Sequence, residues 1–210
     1  MKRLLSTLLM FVVFFAICGT TLQAQTKRTS GFKGGLSFAN WYGSDVSGTD
    51  SKIGLAAGTF YNVQPSDKIS IQTELLYVVK GFKAEDLGIE VKTKLEYIEF
   101  PFLIKWMFPT DGNVKPNLFL GAAPAINISA KAEAVSGNVK AELDIKDFIK
   151  GFDFGLVFGG GLDIDAGSSI ITIDARYTLG LTSIDNSGFD EDVKNRVFTV
   201  MIGYVLKFGT

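Results

Sequence analysis

Histidine is absent from this chain, and its single cysteine, Cys18, stands inside an N-terminal apolar run. Without histidine, Ser-His-Asp and Cys-His nucleophilic systems, imidazole general bases and His-ligated zinc sites cannot be built. If the apolar run is removed, disulfides, thiolate metals and cysteine nucleophiles leave with it. An excess of charge of one sign is also missing, since 21 Lys and Arg face 22 Asp and Glu. No basic surface exists for counterion release from phosphates, so nucleic acid is not an expected partner. Beyond Ala24 no stretch approaches the roughly 20 apolar residues of a spanning helix. What remains is 210 residues, a length that suits one domain, with 47% of them hydrophobic.

The first residues have the layout of a secretory signal. Lys2 and Arg3 form a positive start, residues 4–17 are apolar, and Leu22-Gln23-Ala24 offers a small residue at the cut. Cleavage after Ala24 divides the chain into a signal peptide, 1–24, and one domain, 25–210. Ile17 stands before Cys18 where a lipoprotein anchor wants a small residue. The exported product is cysteine-free and mildly acidic, with 19 basic residues against 22 acidic ones.

Eight segments then read apolar on every second position, the period of a strand. In 97–108, Ile98, Phe100, Phe102, Ile104, Trp106 and Phe108 share one face, and Glu99, Pro101, Leu103 and Lys105 the other. In 69–79, Ile69, Ile71, Leu75, Tyr77 and Val79 oppose Ser70, Gln72 and Glu74. In 171–179, Ile171, Ile173, Ala175, Tyr177 and Leu179 oppose Thr172, Asp174, Arg176 and Thr178. Residues 153–165 and 198–208 repeat the division, and 31–42, 52–63 and 115–129 follow it less regularly. Pro101 and Pro124 each lack a ladder donor, so a bulge is expected at Pro101 and a bulge or an end of pairing at Pro124.

Joins at 64–68, 109–114 and 165–168 are tight, whereas 43–51, 82–93, 130–151 and 181–195 are longer and polar. Short turns on one side and long loops on the other belong to an up-and-down barrel in an outer membrane. The expected fold is all-β: an eight-stranded antiparallel up-and-down transmembrane β-barrel with periplasmic termini and four longer extracellular loops. The polar parity is rich in Gly, Ala and Ser, which a narrow interior needs, and the bulky apolar parity would overfill it. Aromatics near the segment ends form two interfacial belts. Outer-membrane lipids and, during assembly, the barrel-insertion machinery are the implied partners.

Tyr97-Ile98-Glu99-Phe100-Pro101-Phe102-Leu103-Ile104-Lys105, with Gly31-Phe32-Lys33-Gly34-Gly35-Leu36 and Phe152-Asp153-Phe154-Gly155-Leu156, resembles the PorT-like outer-membrane β-barrel family over essentially the whole mature chain. The resemblance implies an eight-stranded barrel. It does not imply one activity: the family's namesake supports a gliding-type protein secretion system, and most relatives that resemble it have no assigned role. It brings no catalytic set, because none defines the family.

Glu74, Glu99, Lys105, Asp174 and Arg176, with Lys33, Lys80, Asp153 and Asp163, are expected to project into one lumen as a charge-paired plug. In the longest loop Asp144 is placed to cap a short helix through Lys150, which would set Phe148 and Ile149 at the rim or in a partner contact. Asp163-Ile164-Asp165-Ala166-Gly167 reads as a tight turn, lacking the bidentate Glu of a calcium loop. The acidic stretch 185–192 is a weak candidate for a cation. No catalytic residue, cofactor or resident metal is expected. The chain therefore reads as a non-enzymatic outer-membrane barrel whose loops serve binding, assembly or secretion-system support, with an envelope or secretion-system protein as candidate partner. The alternatives are a small outer-membrane lipid-modifying enzyme and a soluble lipocalin-like ligand-binding barrel.

Overall fold

The computed structural model describes residues 26–86, 89–136, 139–189 and 192–206; the expected signal peptide lies outside them. Among the described residues no helix is long and apolar enough to cross a membrane, and the one helical element is a 3₁₀ turn at Lys146–Phe148. The strands are β1 (Lys27–Tyr42), β2 (Asp50–Gln64), β3 (Ile69–Lys80), β4 (Phe82–Asp86), β5 (Ile89–Glu99), β6 (Phe102–Met107), β7 (Val114–Ser136), β8 (Val139–Asp144), β9 (Phe152–Asp165), β10 (Ser169–Gly180) and β11 (Lys194–Leu206). All their pairings are antiparallel, and they close into a ring. β1 pairs with both β2 and β11, and a path through β3, β5 and β6, β7, β9 and β10 joins the two. A closed wall has no edge to protect.

Among the described residues the strand segments number eleven where eight uninterrupted runs are expected. β5 and β6 share the slot between β3 and β7, parted at Phe100 and Pro101. Much of 82–93 and 130–151, expected as loop, is strand: β4 pairs with β5, β7 runs on to Ser136, and β8 folds back on it. Alternation continues there in residues as short as alanine, with Ala132 and Ala134 against Lys131 and Glu133, which suffices for a pleated ribbon. The helix expected over 144–150 shrinks to the 3₁₀ turn. Asp144 Oδ1 does accept the Lys146 N–H at 2.8 Å, but Ile149 is drawn into an extended bridge with Asp185.

Neither proline makes its expected bulge. Pro124 pairs in register with Phe154, and its carbonyl accepts the Phe100 N–H at 2.8 Å. Across Pro101 one register holds against β3, with Leu76 opposite Glu99 and Thr73 opposite Phe102, and the Pro101 carbonyl accepts the Glu74 N–H at 2.9 Å. A proline forfeits one donor, and two continuous neighbours keep its strand in line. The bulge falls instead at Ile128, where Ser129 faces Glu96 but Asn127 faces Tyr97.

Side chains divide as the alternation anticipates. Phe32, Leu36, Ile71, Leu75, Ile104, Trp106, Leu120, Phe158, Ile173 and Ile202 are exposed on the outside, while Lys33, Gln72, Glu74, Lys105, Asp174 and Thr199 are buried within. A water-soluble barrel has the opposite polarity. Val79 departs from its face and is buried, because the pairing of β2 slips by one residue between Ala56–Val78 and Ser51–Phe82. Beyond the Ile128 bulge the two faces exchange character. The outside becomes charged, with Lys94–Glu96 at 2.5 Å, Lys92–Glu90 at 2.7 Å and Lys131–Glu142 at 2.5 Å. The inside of the same extension carries Val91, Thr93, Ala132, Ala134, Ala141 and Leu143.

Gly159 shows how little room the interior has. A Cβ there would strike the Ala175 carbonyl and lie 2.7 Å from the Phe119 ring, whereas at Gly151 it would meet nothing within 4 Å. Gly159→Val is expected to destabilise by about 1–3 kcal/mol and Gly151→Ala by less than about 0.5 kcal/mol, measured by urea unfolding in detergent micelles.

Candidate functional site

The polar lumen is built by side chains that the two-residue period turns inward from strands far apart in the ring. Lys33 comes from β1, Glu74 from β3, and Asp174 and Arg176 from β10. Arg176 grips Glu74 with two nitrogens, Nη1 at 2.6 Å and Nη2 at 3.1 Å, and donates from Nε to Asp174 at 3.0 Å. Lys33 Nζ donates to Glu74 and to Asp174, each at 2.8 Å. Two cations thus meet two anions, and Gln72 Nε2 adds a hydrogen bond to Glu74 Oε1 at 2.5 Å. Aromatic faces cover the cations, Phe60 with its centroid 5.0 Å from Lys33 Nζ and Phe119 at 5.2 Å from the Arg176 guanidinium. All four charged residues are at most 7% exposed. Buried charge at that depth is tolerable only when paired and hydrogen-bonded.

The nine lumen residues read from the sequence do not form one cluster. Toward the long-loop rim lies a second layer, where Lys80 pairs with Glu99 at 2.9 Å and Asp153 at 3.3 Å and stands 4.7 Å from the Tyr97 ring centroid. Asp153 accepts hydrogen bonds from Asn195 Nδ2 at 2.9 Å and from the Thr182 hydroxyl at 3.2 Å. Toward the short turns Lys105 has looser company, Gln72 Oε1 at 3.4 Å and Asp163 at 3.6 Å. It borders a cavity of about 830 Å³ that Asn62, Gln72, Met107, Asp163 and Thr172 also line.

Above the second layer the lumen is capped by apolar groups. Ile184 is fully buried against Leu95, Tyr97, Ala130, Ile149 and Val193. Backbone bonds tie the two loops that supply this cap. Lys150 N–H donates to Ile184, Ile184 N–H to Val193, both at 2.8 Å, and Asn186 N–H to Phe148 at 2.9 Å. Tyr42 Oη fastens the rim further by donating to the Gly180 carbonyl. Of the two candidate contact residues, Ile149 is 7% exposed and belongs to the cap, while Phe148 is 53% exposed. Ile184 and Val193 were not legible in the sequence. Each is a lone apolar residue in a polar loop, and only its tertiary partners give it a role.

In the acidic stretch, Asp185 Oδ1 accepts the Ser187 N–H at 3.1 Å and Asp192 pairs with Lys194 at 2.7 Å; residues 190 and 191 lie outside those described. Among the described residues no group of three or more Asp, Glu, Cys or His is arranged to hold a metal. At the tight turn, Gly167 has φ +79° and donates its N–H to Asp165 Oδ1 at 3.0 Å.

An oily exterior around a ring of paired charges is the arrangement a bilayer requires of a strand protein. The family model for the outer membrane protein beta-barrel domain matches residues 23–186. The chain belongs to that family. It is an outer-membrane protein. Its fold is similar to that of the outer membrane protein OprG from Pseudomonas aeruginosa, at 15% identity and TM-score 0.50, over 88% of this chain and 96% of that one. Neisserial surface protein A aligns at 17% identity and TM-score 0.48, over 85% and 97%. Ail, the attachment invasion locus protein of Yersinia pestis, aligns in complex with sucrose octasulfate at 16% and 0.46, over 86% and 99%. A comparison with curated proteins returned no match.

Two outcomes are expected from this geometry. Glu74→Gln leaves Lys33 and Arg176 with one carboxylate and is expected to cost about 3–5 kcal/mol, against less than about 1 kcal/mol for Lys27→Gln at the surface pair with Asp67, both by urea unfolding. In the 43–49 loop, the Asp192 N–H at 2.8 Å and the Ser44 hydroxyl hold the Asp45 carboxyl below its ordinary 3.8. A lowered folded pKa means the contact is at full strength above the ordinary value and is lost as pH falls through the lowered one. The Asp192 amide resonance is therefore expected to titrate with a midpoint below 3.8.

Proposed function

We propose that the protein is a non-enzymatic integral barrel of the outer membrane with a plugged lumen, whose outer rim serves binding, assembly or secretion-system support. In this reading β5 and β6 make one stave broken at Pro101, and β4 and β8 are extensions. The transmembrane wall then has eight staves, with both termini in the periplasm and the longer connections outside. Residues 1–24 direct export and are removed. The observation that carries the reading is the stack within the wall. Three ionic layers lie under an apolar cap, and their bonds span the lumen between strands that are not neighbours.

The resemblance of the Tyr97–Lys105 segment to PorT-like barrels supports an envelope or secretion-system protein as the partner class. A lipid-modifying activity has little to work with in a chain that lacks histidine. Purified protein in planar bilayers is expected to show no sustained large conductance, and stable channel currents would refute the plug. Deleting the gene is expected to leave the lipid A mass profile unchanged, and a shifted profile would refute the non-enzymatic reading.

A further inference from the structure

β8 ends the strand order and, among the described residues, pairs only with β7, and all six of its residues are exposed. The Ile145 N–H is donated to the Ala130 carbonyl of β7. Backbone groups alternate sides along a strand, so those of Val139, Ala141 and Leu143 turn toward β7 and those of Lys140, Glu142 and Asp144 toward the open edge. Side chains alternate too. Val139, 71% exposed, and Leu143, 64% exposed, share a face with Ala141, while Lys140 and Glu142 share the charged face. Barrels cover such edges or blunt them with charge, short length or proline; this one is uncovered and free of proline, and its charges are Lys140 and Glu142.

We propose that β8 is a self-recognition edge through which two copies of the protein, standing in apposed membranes, pair antiparallel. Hydrogen bonding requires edge-facing residues to oppose edge-facing residues, which leaves few registers. With the twofold axis at Ala141, Lys140 of each copy faces Glu142 of the other, twice, and Val139 faces Leu143, twice. A register shifted one way sets Glu142 against Glu142, and one shifted the other way sets Lys140 against Lys140. Parallel pairing aligns like charges in register and, offset by two residues, sets Glu142 against Asp144. Only one arrangement satisfies every pair.

Within one copy, Glu142 Oε1 is held by Lys131 at 2.5 Å, which leaves its other oxygen for the second copy's Lys140. Lys140 has no ion pair among the described residues. β8 runs antiparallel to β7, whose lower part belongs to the barrel wall. An antiparallel partner therefore carries its barrel pointing the opposite way, and the two barrels sit in facing bilayers.

The proposal rests on the reading above that this extension stands outside the membrane, and trypsin cleavage of the extension on intact vesicles tests that part separately. The full mature chain is reconstituted in phosphatidylcholine vesicles at 0.15 M salt and turbidity is followed. Vesicles bearing the wild-type protein are expected to cluster in proportion to protein density. Lys140→Glu vesicles and Glu142→Lys vesicles are each expected to fall to the turbidity of protein-free vesicles. Mixing the two variants is expected to restore clustering, since each then offers the charge the other needs.

Absence of clustering by folded, trypsin-accessible wild-type protein overturns the proposal. So does clustering that both variants retain, or a mixture that stays clear. A dimer in detergent without vesicle clustering overturns the facing-membrane arrangement, and an extension that trypsin cannot reach overturns the orientation beneath both readings.

Discussion

Charge neutrality inside a narrow wall is the constraint on which the rest of this protein depends. Lys33, Glu74, Asp174 and Arg176 can be held away from water only because each reaches two partners, and they reach them only because the lumen is narrow. Gly159 and Gly161 keep it narrow on one side by letting β9 approach β10 and the Phe119 ring. Phe60 and Phe119 supply the quadrupoles that line the cations, and Gln72 completes the shell around Glu74. Removing any one of the four charges leaves its two neighbours buried and sharing a single counter-ion.

The rim obeys a second requirement. Where the wall leaves the bilayer its outside must be wet, and the exchange of faces at the Ile128 bulge meets that need. Apolar Ile126 and Ile128 give way within five residues to Lys131 and Glu133. The inner face becomes apolar in return, so the mouth closes over Ile184, Ile149 and Val193 instead of filling with water. The cap and the extension are thus two results of one inversion.

Much of this was legible before any coordinates. A period of two needs only local chemistry, so the wall, its two faces and its inward charges follow from the positions of Ile, Leu, Phe, Lys and Asp along each strand. What was hidden depends on contacts distant in sequence. Nothing local says that Ile184 folds into the mouth, that Lys80 and Glu99 separate from Glu74 into a layer of their own, or that Pro101 stays in register. That last outcome is imposed by β3 and β7 on either side. The alternating alanines of 130–134 were too weak a signal to distinguish ribbon from loop. Their pairing with Val91, Thr93 and Leu95 is what stiffens them.

The central quartet joins Lys33, in β1, to Asp174 and Arg176, in β10. It cannot form while the wall is still open. A partly inserted intermediate would present Glu74 from one half and Arg176 from the other with nothing opposite, at a cost that acyl chains cannot relieve. The half-built sheet must therefore keep its concave side hydrated until β1 meets β11. Sealing that seam completes the electrostatic lock and commits the barrel to the bilayer, so a chain with a mismatched lumen would fail at closure, after most of its backbone is already in place.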